Sequence, residues 1–143
     1  MPQCSLCDQG LGPIFSESRH WRAVINRNQN LLGKCFLALR RHVELLEELS
    51  SAEWMDLHQQ VVLVTQALRR EFEPDHFNYA FLQNQDRHVH LHVIPRYAKP
   101  RTFGGRVYED RGWPSHYDVS EPAKILPEDE LAQLSRVLRG QLE

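Results

Sequence analysis

Positive charge is not in excess in this chain. Seventeen Lys and Arg stand against 19 Asp and Glu, a formal net charge of −2. A protein built chiefly to hold a nucleic-acid polymer or an anionic membrane surface would show a basic balance, so neither partner is expected. Cysteine is scarce: three residues, an odd number, do not make a disulfide framework. No apolar run approaches the roughly 18 residues that a membrane span needs. The opening Met-Pro-Gln-Cys-Ser-Leu-Cys-Asp has no basic stretch followed by an apolar one, so no secretory leader is expected. Repeats, low-complexity tracts and lipidation motifs do not occur. Free thiols without a leader fit a reducing compartment, and the cytoplasm is the expected location. What remains is a composition of ordinary globular type, 41% apolar and 25% charged over 143 residues. That length favours a single domain over 1–143 with a core of its own.

Histidine departs from this ordinary background. There are eight, more than roughly twice the typical share. Imidazole titrates near neutrality and binds metals, so the placement of these eight residues is the first question.

The apolar pattern predicts an α+β fold. Residues 1–13 read as a loop. Trp21–Ile25 and Lys34–Leu39 read as strands on either side of an Asn-rich turn, and a short helix is expected over His42–Leu49. Ser50-Ser51-Ala52-Glu53 has the spacing of a capping box. Trp54, Leu57, Val61, Val64, Leu68 and Phe72 then recur every three or four residues, one face of a helix that Pro74 ends. Phe77–Leu82 and His88–Ile94 read as a tight antiparallel hairpin that stops at Pro95. Residues 97–122 read as a long loop whose aromatics pack against something. Pro127 with the acids after it starts a last helix, striped with Leu131, Leu134, Leu138 and Leu142. Residues 97–143 thus form a C-terminal tail and helix.

Residues 88–92 read His-Val-His-Leu-His. Strand side chains alternate faces, so His88, His90 and His92 share one face while Val89, Leu91 and Val93 share the other. The result is a row of imidazoles roughly 6–7 Å apart on a rigid element. Three readings compete: a solvated polar face, a metal site, or nucleophilic and acid–base catalysis. Strict alternation with an apolar opposite face is a more specific signal than His-x-His alone.

His88-Val89-His90-Leu91-His92-Val93-Ile94 resembles the motif of the histidine-triad (HIT) family, and Pro95-Arg96-Tyr97 resembles its continuation. So does the upstream strand followed by Arg-Arg-His42-Val-Glu and a capped helix. The likeness spans roughly residues 4–97 and is nearest to the zinc-containing bacterial-type branch, similar to diadenosine polyphosphate hydrolases. It implies an antiparallel sheet with one long helix, a short helix and a C-terminal helix, in a homodimer. It also implies a nucleotide hydrolase cleaving at the α-phosphate of dinucleoside polyphosphates or nucleoside phosphoramidates. A nucleotidyltransferase or phosphorylase, and a non-catalytic nucleotide-binding module, are the alternatives on the same fold.

By that resemblance His90 is the nucleophile that forms a nucleotidyl-histidine, and His92 bonds the phosphate or leaving-group oxygens. A backbone carbonyl is expected to orient the nucleophilic ring. Asn26 takes the position that contacts ribose, with a turn Asn as the other reading. Family members carry Gln, preceded by Gly, four residues before the triad. This chain has Gln83-Asn84-Gln85, so Asn84 or Gln85 takes the phosphate-contact place, or Asn84 simply turns the chain. Cys4-Ser5-Leu6-Cys7 on its own is either a redox pair or half of a metal site, and the helix start that a redox pair uses is not expected here. The resemblance completes it with His42 and His88 as a closed structural zinc site. Arg96 is expected to meet phosphate or solvent; Arg106, Trp113 and Tyr117 are unranked candidates for specificity. Cys35 reads as a core residue.

Overall fold

The computed structural model describes residues 4–7, 12–117 and 123–142. Its elements in chain order are β1 (Ile14–Glu17), β2 (Trp21–Ile25), β3 (Cys35–Leu39), a 3-10 turn (Leu46–Glu48), α1 (Ser51–Phe72), β4 (His76–Ala80), β5 (His90–Arg96), β6 (Arg101–Phe103), β7 (Arg106–Tyr108) and α2 (Glu128–Arg139). Strands β1 to β5 form an antiparallel sheet in the order β1-β2-β3-β5-β4, and β6 and β7 form a separate hairpin. The architecture is α+β, as the residue pattern predicts. Among the described residues no helix is long and apolar enough to cross a membrane.

Alternation along the strands sorts the sheet into two faces. Cys35, Leu37 and Leu39 of β3 and Leu91 and Val93 of β5 enter the main core with Trp21, Ala23 and Ile25 of β2. Both helices cover that face. Leu57, Val64, Leu68 and Phe72 come from α1, and Leu131, Leu134 and Leu138 from α2. Each fully buried leucine contributes about 1.5–3 kcal/mol of transfer free energy. The indole N–H of Trp21 donates to the Glu53 carbonyl across 2.8 Å, which fixes α1 on the sheet. The capping box at the start of α1 is complete: Ser50 Oγ accepts from the Glu53 N–H and the Glu53 carboxylate accepts from the Ser50 N–H. Arg41 clamps that same carboxylate, holding its pKa down to about 2.

Several elements differ from expectation. The helix expected over His42–Leu49 is only the 3-10 turn, because the Leu45-Leu46-Glu47-Glu48 stretch gains no side-chain cap. Trp54 belongs to the helical stripe yet is 42% exposed, with its ring in an edge contact with Phe81. The β4–β5 hairpin is not tight: residues 81–89 separate the strands, and β5 starts at His90 and runs through Pro95 to Arg96. Pro95 is tolerated because β3 makes its last pair, Cys35 with Val93, before reaching it. The expected loop over 97–122 contains the β6–β7 hairpin. Its turn is Gly104-Gly105 with φ of 58° and 78°, the left-handed pair that a two-residue hairpin requires. Residues 118–122 of that expected loop, and 1–3 and 8–11 of the one over 1–13, lie outside the described residues.

Candidate functional site

The sheet face opposite the helices carries the site. His90 and His92 point there from β5, in register with Ala38 and Phe36 of β3. Their ring centroids are 4.8 Å apart, and Phe36 meets them at 5.8 and 6.1 Å. Leu91 and Val93, on the alternate side, lock the strand into the core. His88 precedes the strand, and its ring lies beside Cys4, Cys7 and His42 and does not line the cleft.

The hydrogen bonds assign the ring nitrogens. His90 Nδ1 lies 2.6 Å from the His88 carbonyl. A carbonyl only accepts, so Nδ1 carries the proton and a neutral His90 keeps its lone pair on Nε2. His92 is held neutral: burial first, then His90 and Lys34 nearby, push its pKa down to about 4. It therefore offers one N–H donor and no charge.

Both imidazoles line a cleft of about 360 Å³, within the usual range of small-molecule sites. Leu6, Phe36 and Leu82 form its apolar wall, and Asn26 and residues 83–86 its polar rim. The sequence-predicted Asn26, Asn84 and Gln85 all reach it. Asn26 Oδ1 is buried there without a hydrogen-bond partner among the described residues. Such an oxygen costs about 1–3 kcal/mol unless a ligand supplies a donor. Gln29 sets the turn that presents Asn26: its amide donates to the Asn26 and Lys34 carbonyls at 2.8 and 2.7 Å, and its oxygen accepts from the Gly33 N–H. Gly33 has φ of 86°, and a Cβ would stand 2.7 Å from Leu68, so only glycine fits. The rim is fixed by Gln83, whose amide donates to the Glu44 carbonyl at 2.7 Å.

Cys4, Cys7, His42 and His88 converge beside the cleft, with one ligand atom from each all within 4.8 Å of one another. His88 Nδ1 lies 3.3 Å from Cys4 Sγ, 3.6 Å from Cys7 Sγ and 3.2 Å from His42 Nδ1, and His42 Nδ1 lies 3.5 Å from Cys7 Sγ. A tetrahedral ion bound by nitrogen at roughly 2.0–2.1 Å and sulfur at roughly 2.3 Å needs ligand–ligand edges of about 3.3–3.8 Å. The arrangement could thus hold one metal ion. His88 Nε2–H donates to the Leu39 carbonyl at 2.6 Å, which leaves Nδ1 free to ligate. Burial lowers the His88 pKa, which favours the neutral, ligating form. The loop between the cysteines also reaches the cleft, through Leu6 and through a hydrogen bond from Ser5 to Asp86.

Comparison with known proteins decides the family. Residues 13–99 match the model of the HIT domain. The chain belongs to the HIT family. It is 28% identical over 132 residues to Protein hit of Bacillus subtilis, covering 85% of this chain and 86% of that one. Its fold is that of a histidine triad protein from Bradyrhizobium japonicum, with a TM-score of 0.76 at 18% identity over 99% of this chain and 100% of that one. A Zn-bound histidine triad family protein from Mycobacterium smegmatis has a TM-score of 0.64 at 16% identity, over 98% and 93% of the two chains. Membership supports nucleotide binding or a hydrolase or transferase activity directed at nucleotides.

Other candidates in this HIT chain lie away from the cleft. Arg96 is buried away from solvent and does not line the cleft. It is buried in an ion pair with Asp110 at 2.7 Å and also donates to Asn78 Oδ1 and the Ser115 carbonyl, which ties the segment after β7 to the sheet. Arg106 pairs with Glu130 at the surface. Trp113 and Tyr117 are partly buried and do not line the cleft. His58, His76 and His116 are exposed. Cys35 is buried, and burial pushes its thiol up to about 12, an inert core residue. Leu6, Phe36, Gln29 and Asp86 are site residues that no motif in the sequence marks.

Proposed function

We propose that this protein hydrolyses nucleotides at the α-phosphate, through a nucleotidyl intermediate on His90. The observation that carries the reading is the His90 tautomer: Nδ1–H is spent on the His88 carbonyl, so the lone pair sits on Nε2 in a ring that lines the cleft. Nε2 bonds to the α-phosphorus while the bond to the leaving group breaks and that group departs with the electron pair. Water then attacks the same phosphorus, the P–N bond breaks, the ring regains its lone pair, and a proton passes to solvent. His92 donates to a phosphate or leaving-group oxygen as charge develops. Asn26 Oδ1 suits a ribose hydroxyl, which would satisfy its unpaired acceptor, and Asn84 and Gln85 offer amide donors to phosphate. Dinucleoside polyphosphates and nucleoside phosphoramidates both fit this chemistry.

Zinc suits the Cys4, Cys7, His42 and His88 cluster by its donor set and by four ligand–ligand separations of 3.2–3.6 Å, and a related structure is described as Zn-bound. A zinc held by four protein ligands supplies folding energy and not a reactive water. Its ligands would tie the N-terminal segment to His88, whose carbonyl orients His90.

The test is to mix the protein with a diadenosine polyphosphate or an AMP-amidate, quench with alkaline denaturant and weigh the chain. A gain of one nucleoside monophosphate, absent from His90→Ala, is expected. Undiminished turnover by His90→Ala overturns the reading.

A further inference from the structure

Lys34 stands beside the cleft with no part in the chemistry described so far. Cys35 pairs with Ile25 on one side and Val93 on the other, so position 34 continues the register next to Asn26 and Ile94. The Asn26 N–H donates to the Lys34 carbonyl at 3.2 Å. Cys35 faces the core and Phe36 the cleft, so strand parity puts Lys34 on the side of Phe36 and His92. Its ammonium is near enough to His92 to oppose protonation there. It is mostly buried, and burial lowers its pKa to about 8. Asn30 Oδ1, at 2.7 Å, is neutral and uses one of its three N–H donors. Among the described residues no carboxylate pairs with it. A mostly buried cation without a counter-ion is costly to the folded chain, and an anion bound beside it offsets that cost.

We propose that Lys34 is a specificity determinant that receives the negative charge of the leaving group and so favours phosphate-bearing leaving groups over neutral amines. The inference rests on the hydrolase reading above. There, the charge that His92 meets with one neutral N–H arises as the leaving group departs. A dinucleoside polyphosphate releases an anionic nucleotide, which gains from an ammonium at this position in both ground and transition states. A phosphoramidate releases a neutral amine, which does not.

The experiment compares Lys34→Gln and Lys34→Arg with the unmutated protein on diadenosine triphosphate and on an AMP-amidate of an alkylamine. The ratio of kcat/KM for the first substrate to that for the second should fall about tenfold or more in Lys34→Gln. It should stay within about threefold in Lys34→Arg, which keeps the charge. A ratio unchanged in Lys34→Gln, or lost equally in Lys34→Arg, overturns the proposal. A parallel titration measures binding of ADP and AMP to the same three proteins. Should the unmutated protein hydrolyse neither substrate, a preference for ADP that Lys34→Gln removes keeps Lys34 as an anion contact and sinks the hydrolase reading alone. No such preference, or one that Lys34→Gln leaves intact, sinks Lys34.

Discussion

His88 and His90 belong to one motif and are two residues apart, yet they present opposite ring nitrogens. Nε2 of His88 is tied to the Leu39 carbonyl, so Nδ1 faces Cys4, Cys7 and His42. Nδ1 of His90 is tied to the His88 carbonyl, so its lone pair lies on Nε2 at the cleft. The residue type is the same, and the backbone acceptor decides which nitrogen is offered. A row of equal side chains is thereby divided into a ring that presents Nδ1 to the thiols and a ring that presents Nε2 to the cleft. The two ends also remain joined, because the carbonyl that holds His90 belongs to the residue that faces the cysteines.

The largest expected effect breaks the comparison at the cleft end. His90→Ala should lower turnover of a diadenosine polyphosphate by more than about 10³-fold, since it removes the atom proposed to form the bond to phosphorus. Thermal unfolding should barely move, and the metal content should not change. At the other end, Cys4→Ser/Cys7→Ser should remove about one zinc per chain and lower the melting temperature. Turnover should fall by about 10–100-fold and persist, as for a group that orients a reacting one. Metal analysis, calorimetry and steady-state kinetics on the two variants together test the division. A double cysteine variant as inactive as His90→Ala would show that the ends act as one unit.

How far each region could be read from sequence also differs between these ends. Cys4, Cys7, His42 and His88 are recognisable as donor types, and the fold brings all four together. His90, His92, Asn26, Asn84 and Gln85 line the cleft as a motif reading places them. Strand β2 has its expected bounds, and the capping box of α1 is visible in four residues. The carbonyl that orients His90 could not be read, because main-chain geometry leaves no mark in residue types. Leu6 and Phe36 look like ordinary apolar residues until the sheet turns them toward the cleft. The salt bridge from Arg96 to Asp110 spans a hairpin that was hidden in an expected loop, although Gly104-Gly105 between β-prone residues was a usable signal for it. The short helix failed for the opposite reason: apolar spacing alone, without a cap, did not sustain more than one 3-10 turn.

A smaller effect sharpens the boundary between the two regions. Leu6 sits between the two cysteines, is 7% exposed, packs with Val24, Phe36 and Ala38, and lines the cleft. Leu6→Ala should cost about 2 kcal/mol, the low end for a buried leucine, because the cleft beside it already admits solvent. Zinc should stay bound, while KM rises several-fold as the apolar wall is lost. Denaturant unfolding, metal analysis and kinetics check the three parts. Loss of zinc in this variant would mean that the loop needs Leu6 to hold its cysteines, and the cleft wall would then belong to the metal end.

The smallest effect concerns the far end of the row. His92 is held neutral down to about pH 4, whereas an unfolded chain protonates it near its ordinary value of 6.5. Between these values the unfolded state binds the extra proton, so stability from this group is lost as pH falls through that window. His92→Gln removes the titrating ring and should flatten the slope of unfolding free energy against pH by less than one proton. The measurement belongs in the Cys4→Ser/Cys7→Ser background, where proton competition for a metal at His88 no longer adds its own slope. An unchanged slope there would mean that burial, with His90 and Lys34 beside it, does not hold down protonation of His92, and that the cleft is more open to water than the burial of the ring indicates.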